Sequence, residues 1–134
     1  MGRFIKVLGV QVALAALVLS APASAFAEIY TATISSEGKV IAQSPRWIKA
    51  IKLTAQPDYF SDYKIRFIPG LFKEAPHFCS ASVTDVSSND HVFYGHAKLG
   101  GLPSIDYMNV LTLKVGDNKP AGDSSMGFLL MCVK

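Results

Sequence analysis

The sequence predicts an all-β fold: a single antiparallel β-sandwich of about eight strands, closed by one disulfide. Three observations predict it. Apolar and polar residues alternate over short runs, the mark of half-buried strands. No stretch sustains the 3.6-residue period of an amphipathic helix. Clusters of Gly, Pro, Asn, Asp and Ser separate the runs at the spacing that sandwiches and small barrels share.

The strands follow in order. Glu28–Ile34, Lys39–Gln43 and Trp47–Thr54 come first, separated by Glu37-Gly38 and Ser44-Pro45. After Gln56-Pro57-Asp58, the run Tyr63–Ile68 turns Tyr63, Ile65 and Phe67 one way and Lys64 and Arg66 the other. Pro69-Gly70 ends it. His77–Asp85 points Cys79, Ala81 and Val83 inward and Ser80, Ser82 and Thr84 outward. Ser87–Asp90 turns the chain into His91–Ala97, and Gly100-Gly101 ends that run. Tyr107–Val115 places Leu111, Leu113 and Val115 on one face, with Thr112 and Lys114 opposite. The loop Gly116–Ser124 leads to Met126–Val133, apolar on both faces and therefore expected at the centre of a sheet.

Residues 1–25 lie outside this pattern and read as a secretory signal peptide. Arg3 and Lys6 supply the positive start, and Val7–Leu19 is nearly all apolar. As a helix that run is ~20 Å long at ~1.5 Å per residue. The bilayer core is ~30 Å thick, so the run is short for a membrane span. Ala23-Ser24-Ala25 is an A-x-A cleavage site with Pro22 before it. Cleavage after Ala25 leaves Phe26 first; Ala25-Phe26-Ala27 offers a second site after Ala27. The expected location is therefore secreted or periplasmic, and the signal is bacterial in style. Residues 26–134 form one domain, a length at which a single core can be buried.

The full chain carries a net charge of +3, which falls to +1 without Arg3 and Lys6. That balance gives no general attraction to nucleic acid or to anionic lipid, and no stable membrane insertion is expected after cleavage. Cys79 and Cys132 are the two cysteines. In an oxidising compartment an even pair reads as one disulfide. It would close a loop of about 54 residues, worth roughly 4 kcal/mol on the chain-entropy model. The bridge needs its two strands to be neighbours or to face each other across the core.

Nothing in the motifs points to catalysis. The chain has no G-x-S-x-G elbow, Walker loop, G-x-G-x-x-G or H-E-x-x-H. No catalytic residue, metal ligand or cofactor is assigned, and a non-enzymatic role is expected. His91 and His96 are five apart on an expected strand, so alternation turns them to opposite faces. His77 follows Pro76 at a strand entry. Asp58 and Asp62 flank Tyr59-Phe60 but have no cleft to face across.

Aromatic residues carry the stronger functional signal. Trp47, Tyr63, Phe67 and Phe128 sit at strand positions and read as core. Tyr59 and Phe60 fall in a loop between Pro57 and Ser61. They either fold back to cap the core or stay exposed to stack on a sugar or anchor a protein. Tyr94 and His96 form a second pair on one face of an expected edge strand.

The segment Tyr63-Lys-Ile-Arg-Phe67-Ile-Pro-Gly-Leu-Phe72-Lys-Glu-Ala-Pro76-His-Phe-Cys79-Ser-Ala81 has the shape Y-x-I-x-F, then F-x-x-x-P, then small alternating residues. It resembles the β-sandwich modules at the ends of phage tail fibres and in H-type lectins. Gly38–Ile48 is similar to their entry strands. The resemblance implies a binding module for surface carbohydrate that forms a homotrimer. It carries over no sugar-contacting residue, and the cysteine pair departs from the pattern. Physically, Tyr63, Ile65 and Phe67 fill the core, Phe72 tucks under the end of the sandwich, and Pro76 starts a strand where no ladder N–H is required.

The function expected from these readings is an exported binding module for a glycan or a cell-envelope protein surface, acting through Tyr59 and Phe60. The alternative is a periplasmic inhibitor or envelope assembly factor that acts through Gly116–Ser124 as a protruding loop.

Overall fold

The computed structural model describes residues 26–84, 89–116, 119–120 and 122–134. Residues 1–25, where a signal peptide is expected, and Asp85 lie outside the described residues. Strand β1 (Ile29–Ile34) alternates as its sequence does, with Tyr30, Ala32 and Ile34 buried and Ile29 and Thr31 exposed. It turns through Ser35–Lys39, where Gly38 adopts φ +80°, a left-handed conformation that glycine reaches without strain. β2 (Val40–Ser44) then pairs back on β1. The Ser44–Pro45 peptide is cis, and the chain crosses here to the second sheet.

β3 (Ile48–Ala55) and β4 (Ser61–Phe67) form a hairpin in that second sheet. β5 (Phe78–Val83) returns to the first sheet. A short helix α1 (Asn89–Tyr94) leads into β6 (Gly95–Leu99), followed by β7 (Tyr107–Gly116). The two-residue β8 (Lys119–Pro120) pairs with the end of β7, and β9 (Phe128–Val133) closes the chain. The strand orders are β2-β1-β9-β5 and β3-β4-β7-β6, antiparallel throughout. The two sheets face each other as a sandwich.

The core lies between them and is rich in aromatic residues. Trp47, Tyr63 and Phe128 are fully buried. Trp47 donates its indole N–H to the Thr31 carbonyl at 2.9 Å. Its ring stacks with Phe67 and lies near Tyr30 and Phe72. The Gln43 side-chain oxygen accepts the backbone N–H groups of both Trp47 and Ile48, so the crossover residues are paired as they enter the core. Phe72 caps the end of the sandwich, 4.9 Å from both Tyr30 and Phe67 (ring centroids). Tyr63 buries its ring and donates its hydroxyl to the Ser36 carbonyl at 2.6 Å.

Cys79 and Cys132 are bonded to each other. They stand directly opposite on β5 and β9, with Cα atoms 4.1 Å apart. Both point inward and are buried, as the parity of their strands requires. β9 runs between β1 and β5, at the centre of its sheet as expected, but only its Phe128, Leu130 and Cys132 side is buried; Leu129 and Met131 are exposed on the other.

The expected strand His91–Ala97 needs correction. Its first half is helix α1, and the strand begins only at Gly95. His91 and Tyr94 are therefore not on a strand with His96, and strand parity does not relate them. The helix has fewer than two turns, too short to register a period. Asn89 and Asp90 are residue types that favour helix starts. At Gly95 a Cβ would collide with the His91 carbonyl oxygen and the Met126 sulfur, so only glycine fits where helix becomes strand. The other strand ends differ from expectation by one or two residues, as fraying ends do.

Candidate functional site

The turn between β3 and β4 is built by its own backbone. The Gln56 N–H donates to the Phe60 carbonyl, and Asp58 takes φ +57°. Asp tolerates this conformation better than most residues. Such a turn would ordinarily be a mobile loop tip. Here it is stitched to the segment Gly122–Ser125. Asp58 N–H donates to the Gly122 carbonyl, and the Asp58 carboxylate accepts the Gly122 N–H at 2.9 Å. The Ser124 hydroxyl donates to the Tyr59 carbonyl at 2.9 Å and accepts the Lys114 N–H at 3.1 Å. Thr112, buried on the core face of β7, donates to the Ser124 carbonyl at 2.7 Å. Ser61 and Ser125 share a further hydroxyl bond of 2.7 Å.

This stitching fixes the aromatic pair. Tyr59 is 54% exposed and Phe60 is half-buried, with ring centroids 4.6 Å apart in an edge-to-face arrangement. They form one wall of a cleft of about 440 Å³ on the outer face of the second sheet. Leu111, Leu113 and Val115 of β7 form its floor. His96, Lys98 and Leu99 of β6 form the opposite wall. The register explains the grouping, because His96 stands opposite Leu113 and Lys98 opposite Leu111. The side chains of β7 that enter the core are instead Met108, Val110 and Thr112. The alternation of Tyr107–Val115 is thus real, but its second apolar set faces outward, where it builds the cleft.

Beyond Leu111 on the same face lies Asp62, paired in register with Leu111 itself. Asn109 donates its amide to the Asp62 carboxylate at 3.3 Å. Partial burial pushes the Asp62 carboxyl above the ordinary carboxylate range, and Lys64 opposes that shift. Lys64 in turn lies 4.2 Å from the centroid of the Tyr107 ring. A raised pKa means that the folded state holds the Asp62 proton more tightly than the unfolded state does. Its stabilising contribution is present below the unfolded value of about 4 and lost as pH rises through the folded value. Asp62→Asn should therefore be more stable than the wild type at neutral pH, and the gain should vanish as pH falls towards about 4. Chemical denaturation at a series of pH values reads this, and a pH-independent difference would contradict it.

The structure places the sequence candidates plainly. Tyr59 and Phe60 share one cleft, and His96 joins them. Tyr94 is exposed at the end of α1 and is not among the cleft residues. Asp58 has its carboxylate committed to Gly122, and His77 is exposed beside Glu74, 4.0 Å away. The Asp90 side chain lies outside the described residues. Much of Gly116–Ser124 does too. The described part folds back through β8 and then braces Tyr59, rather than standing free. Among the described residues no group of three His, Cys, Asp or Glu side chains could hold a metal ion. The sequence groups Leu111, Leu113 and Val115 on one strand face but does not mark that face as a site, and it does not single out Lys98. The available signal was Tyr107–Val115 itself, in which Met108 and Val110 already supply a core face and leave Leu111 and Leu113 in excess.

Ser124 offers a direct test of the stitching. Ser124→Ala removes the hydroxyl that bridges the Lys114 N–H and the Tyr59 carbonyl, at a cost of about 1–3 kcal/mol. Chemical denaturation should show that loss, and amide exchange at Lys114 should accelerate. Unchanged stability and exchange would mean that the Tyr59 turn is held by other contacts.

Fold and cleft together define a small, disulfide-closed antiparallel β-sandwich with an apolar surface cleft beneath two aromatic residues. No protein-family model, curated protein or solved structure matches the chain. Among the described residues no helix is long and apolar enough to cross a membrane.

Proposed function

We propose that this protein is an exported, non-enzymatic binding module that takes an apolar anchor of a cell-envelope protein into the cleft under Tyr59 and Phe60. The observation that carries the reading is an aromatic pair, Tyr59 exposed and Phe60 half-buried, held on a braced turn over an aliphatic floor. Exposed aromatics on a fixed backbone lose little entropy on binding and dominate many interfaces. Lys98 and His96 on the opposite wall would suit an acidic group beside the anchor. A sugar is less well served: glycans need several polar groups around the ring, and the floor is wholly aliphatic. Export is supported by the buried disulfide and by the signal-like residues 1–25, and puts the protein in a bacterial periplasm or outside the cell. The likeness of Tyr63–Ala81 to tail-fibre and H-type lectin modules supports binding as the role.

Affinity capture from envelope extracts tests this reading, with wild type compared against a Tyr59→Ala, Phe60→Ala variant. Because Tyr59 is exposed and Phe60 only half-buried at a turn outside the core, the variant should fold. It should hold its protein partner at least about 30-fold more weakly, the effect of losing hot-spot aromatics worth ~2 kcal/mol or more. Equal capture by both proteins would remove the cleft from the account. Binding to a glycan array with no captured protein would replace the protein anchor with a sugar.

A further inference from the structure

We infer that the outer face of the sheet β2-β1-β9-β5 is a self-association surface, on which a second copy of this chain packs face to face. The face lies on the opposite side of the sandwich from the Tyr59 cleft, and the inference is independent of it.

The register defines what this face displays. One cross-strand row is Phe78, Val133 and Ile29; the next is Ser80, Met131, Thr31 and Ser44; the third is Ser82, Leu129, Thr33 and Ala42. Ile29, Phe78, Leu129 and Met131 are exposed, by 39% to 56%. None of the residues in these rows is charged. The other sheet differs sharply, because its outer face carries Lys52, Lys64, Arg66 and Lys98 against the carboxylate of Asp62. Two copies of that basic face would repel each other, whereas the uncharged face can meet itself without that cost.

Shape favours the same occupant. β9 raises a ridge of Leu129 and Met131, and in those two rows its neighbours carry only Thr31, Thr33, Ser80 and Ser82. The shallow depression of about 450 Å³ on this face is lined by Thr31, Thr33, Ala42, Ser44, Ser80 and Ser82 beside that ridge. A contact between identical patches must be complementary to itself under a two-fold rotation. The sheet has four strands, so its midline falls between β1 and β9. A two-fold axis along that midline sets β9 of each copy over β1 of the other. Leu129 and Met131 then rest on Thr33 and Thr31, and the small residues of β2 lie over those of β5.

Sedimentation velocity of the mature protein from about 1 to about 100 µM, the range expected for a modest interface, tests this. The expected result is a concentration-dependent rise from monomer to dimer mass. Leu129→Lys and Met131→Lys point outward, so each should keep the wild-type circular dichroism while weakening the dimer at least about 100-fold by burying an unpaired charge. Leu102→Lys, at an exposed site off this face, should dimerise as the wild type does. A wild type that stays monomeric across the range would overturn the inference, even if the face then bound lipid vesicles or peptides. So would a trimer, or a dimer that survives both lysine variants.

Discussion

Replacing both Cys79 and Cys132 with alanine should lower the unfolding free energy by about 4 kcal/mol. The two residues are 53 apart in sequence and adjacent in space, so the bridge removes much of the freedom of the unfolded chain. The closed segment holds α1 and strands β6, β7 and β8, which include one wall and the floor of the cleft. Without the bridge, β5 keeps its ladder to β9, and the folded strands have no reason to move. The loss therefore falls on the unfolded state. Against a typical total of ~5–15 kcal/mol it is a large fraction. Denaturant unfolding of the double variant and of the oxidised wild type measures it. A difference below about 1 kcal/mol would mean that the unfolded chain is already constrained in this region.

Trp47→Ala should cost about 3–5 kcal/mol, the range for emptying a large aromatic site in a packed core. Trp47 is fully buried and touches both sheets, through its bond to the Thr31 carbonyl and its stacking on Phe67. Truncation leaves a cavity bordered by Tyr30, Phe67 and Phe72, which are themselves in mutual contact and cannot collapse freely. It also removes the indole N–H from the Thr31 carbonyl, a part-buried bond. Trp47→Phe separates the two effects: it fills most of the space, and its cost should approach the ~1–3 kcal/mol of the lost hydrogen bond. Circular dichroism in denaturant reads both. Equal costs for the two variants would show that packing around the indole contributes little.

The strands were legible where one face is buried and the other solvated. Tyr63–Phe67 is the clearest case, since alternation alone assigned its core side. The disulfide followed from an even pair of cysteines in a chain read as exported. Tyr59 and Phe60 were legible as loop aromatics, but whether they capped the core or faced outward depended on contacts with Gly122 and Ser124, more than 60 residues away in sequence. The floor of the cleft was harder still. A strand that is apolar on both faces does not say which face is covered, and only pairing with β4 and β6 turns Leu111 and Leu113 outward. Helix α1 was lost because six residues are too few to display a period.

The claim that Tyr59 and Phe60 form a binding site is tested most directly by site-specific photo-crosslinking in the native host. A photoreactive amino acid replaces Tyr59 in one strain and Leu102, an exposed control residue, in another. The account predicts that position 59 crosslinks to a discrete envelope protein, and that Leu113→Lys in the cleft floor abolishes the adduct. Position 102 should give none. A position 59 that yields no discrete adduct, or the same adduct as position 102, would contradict it.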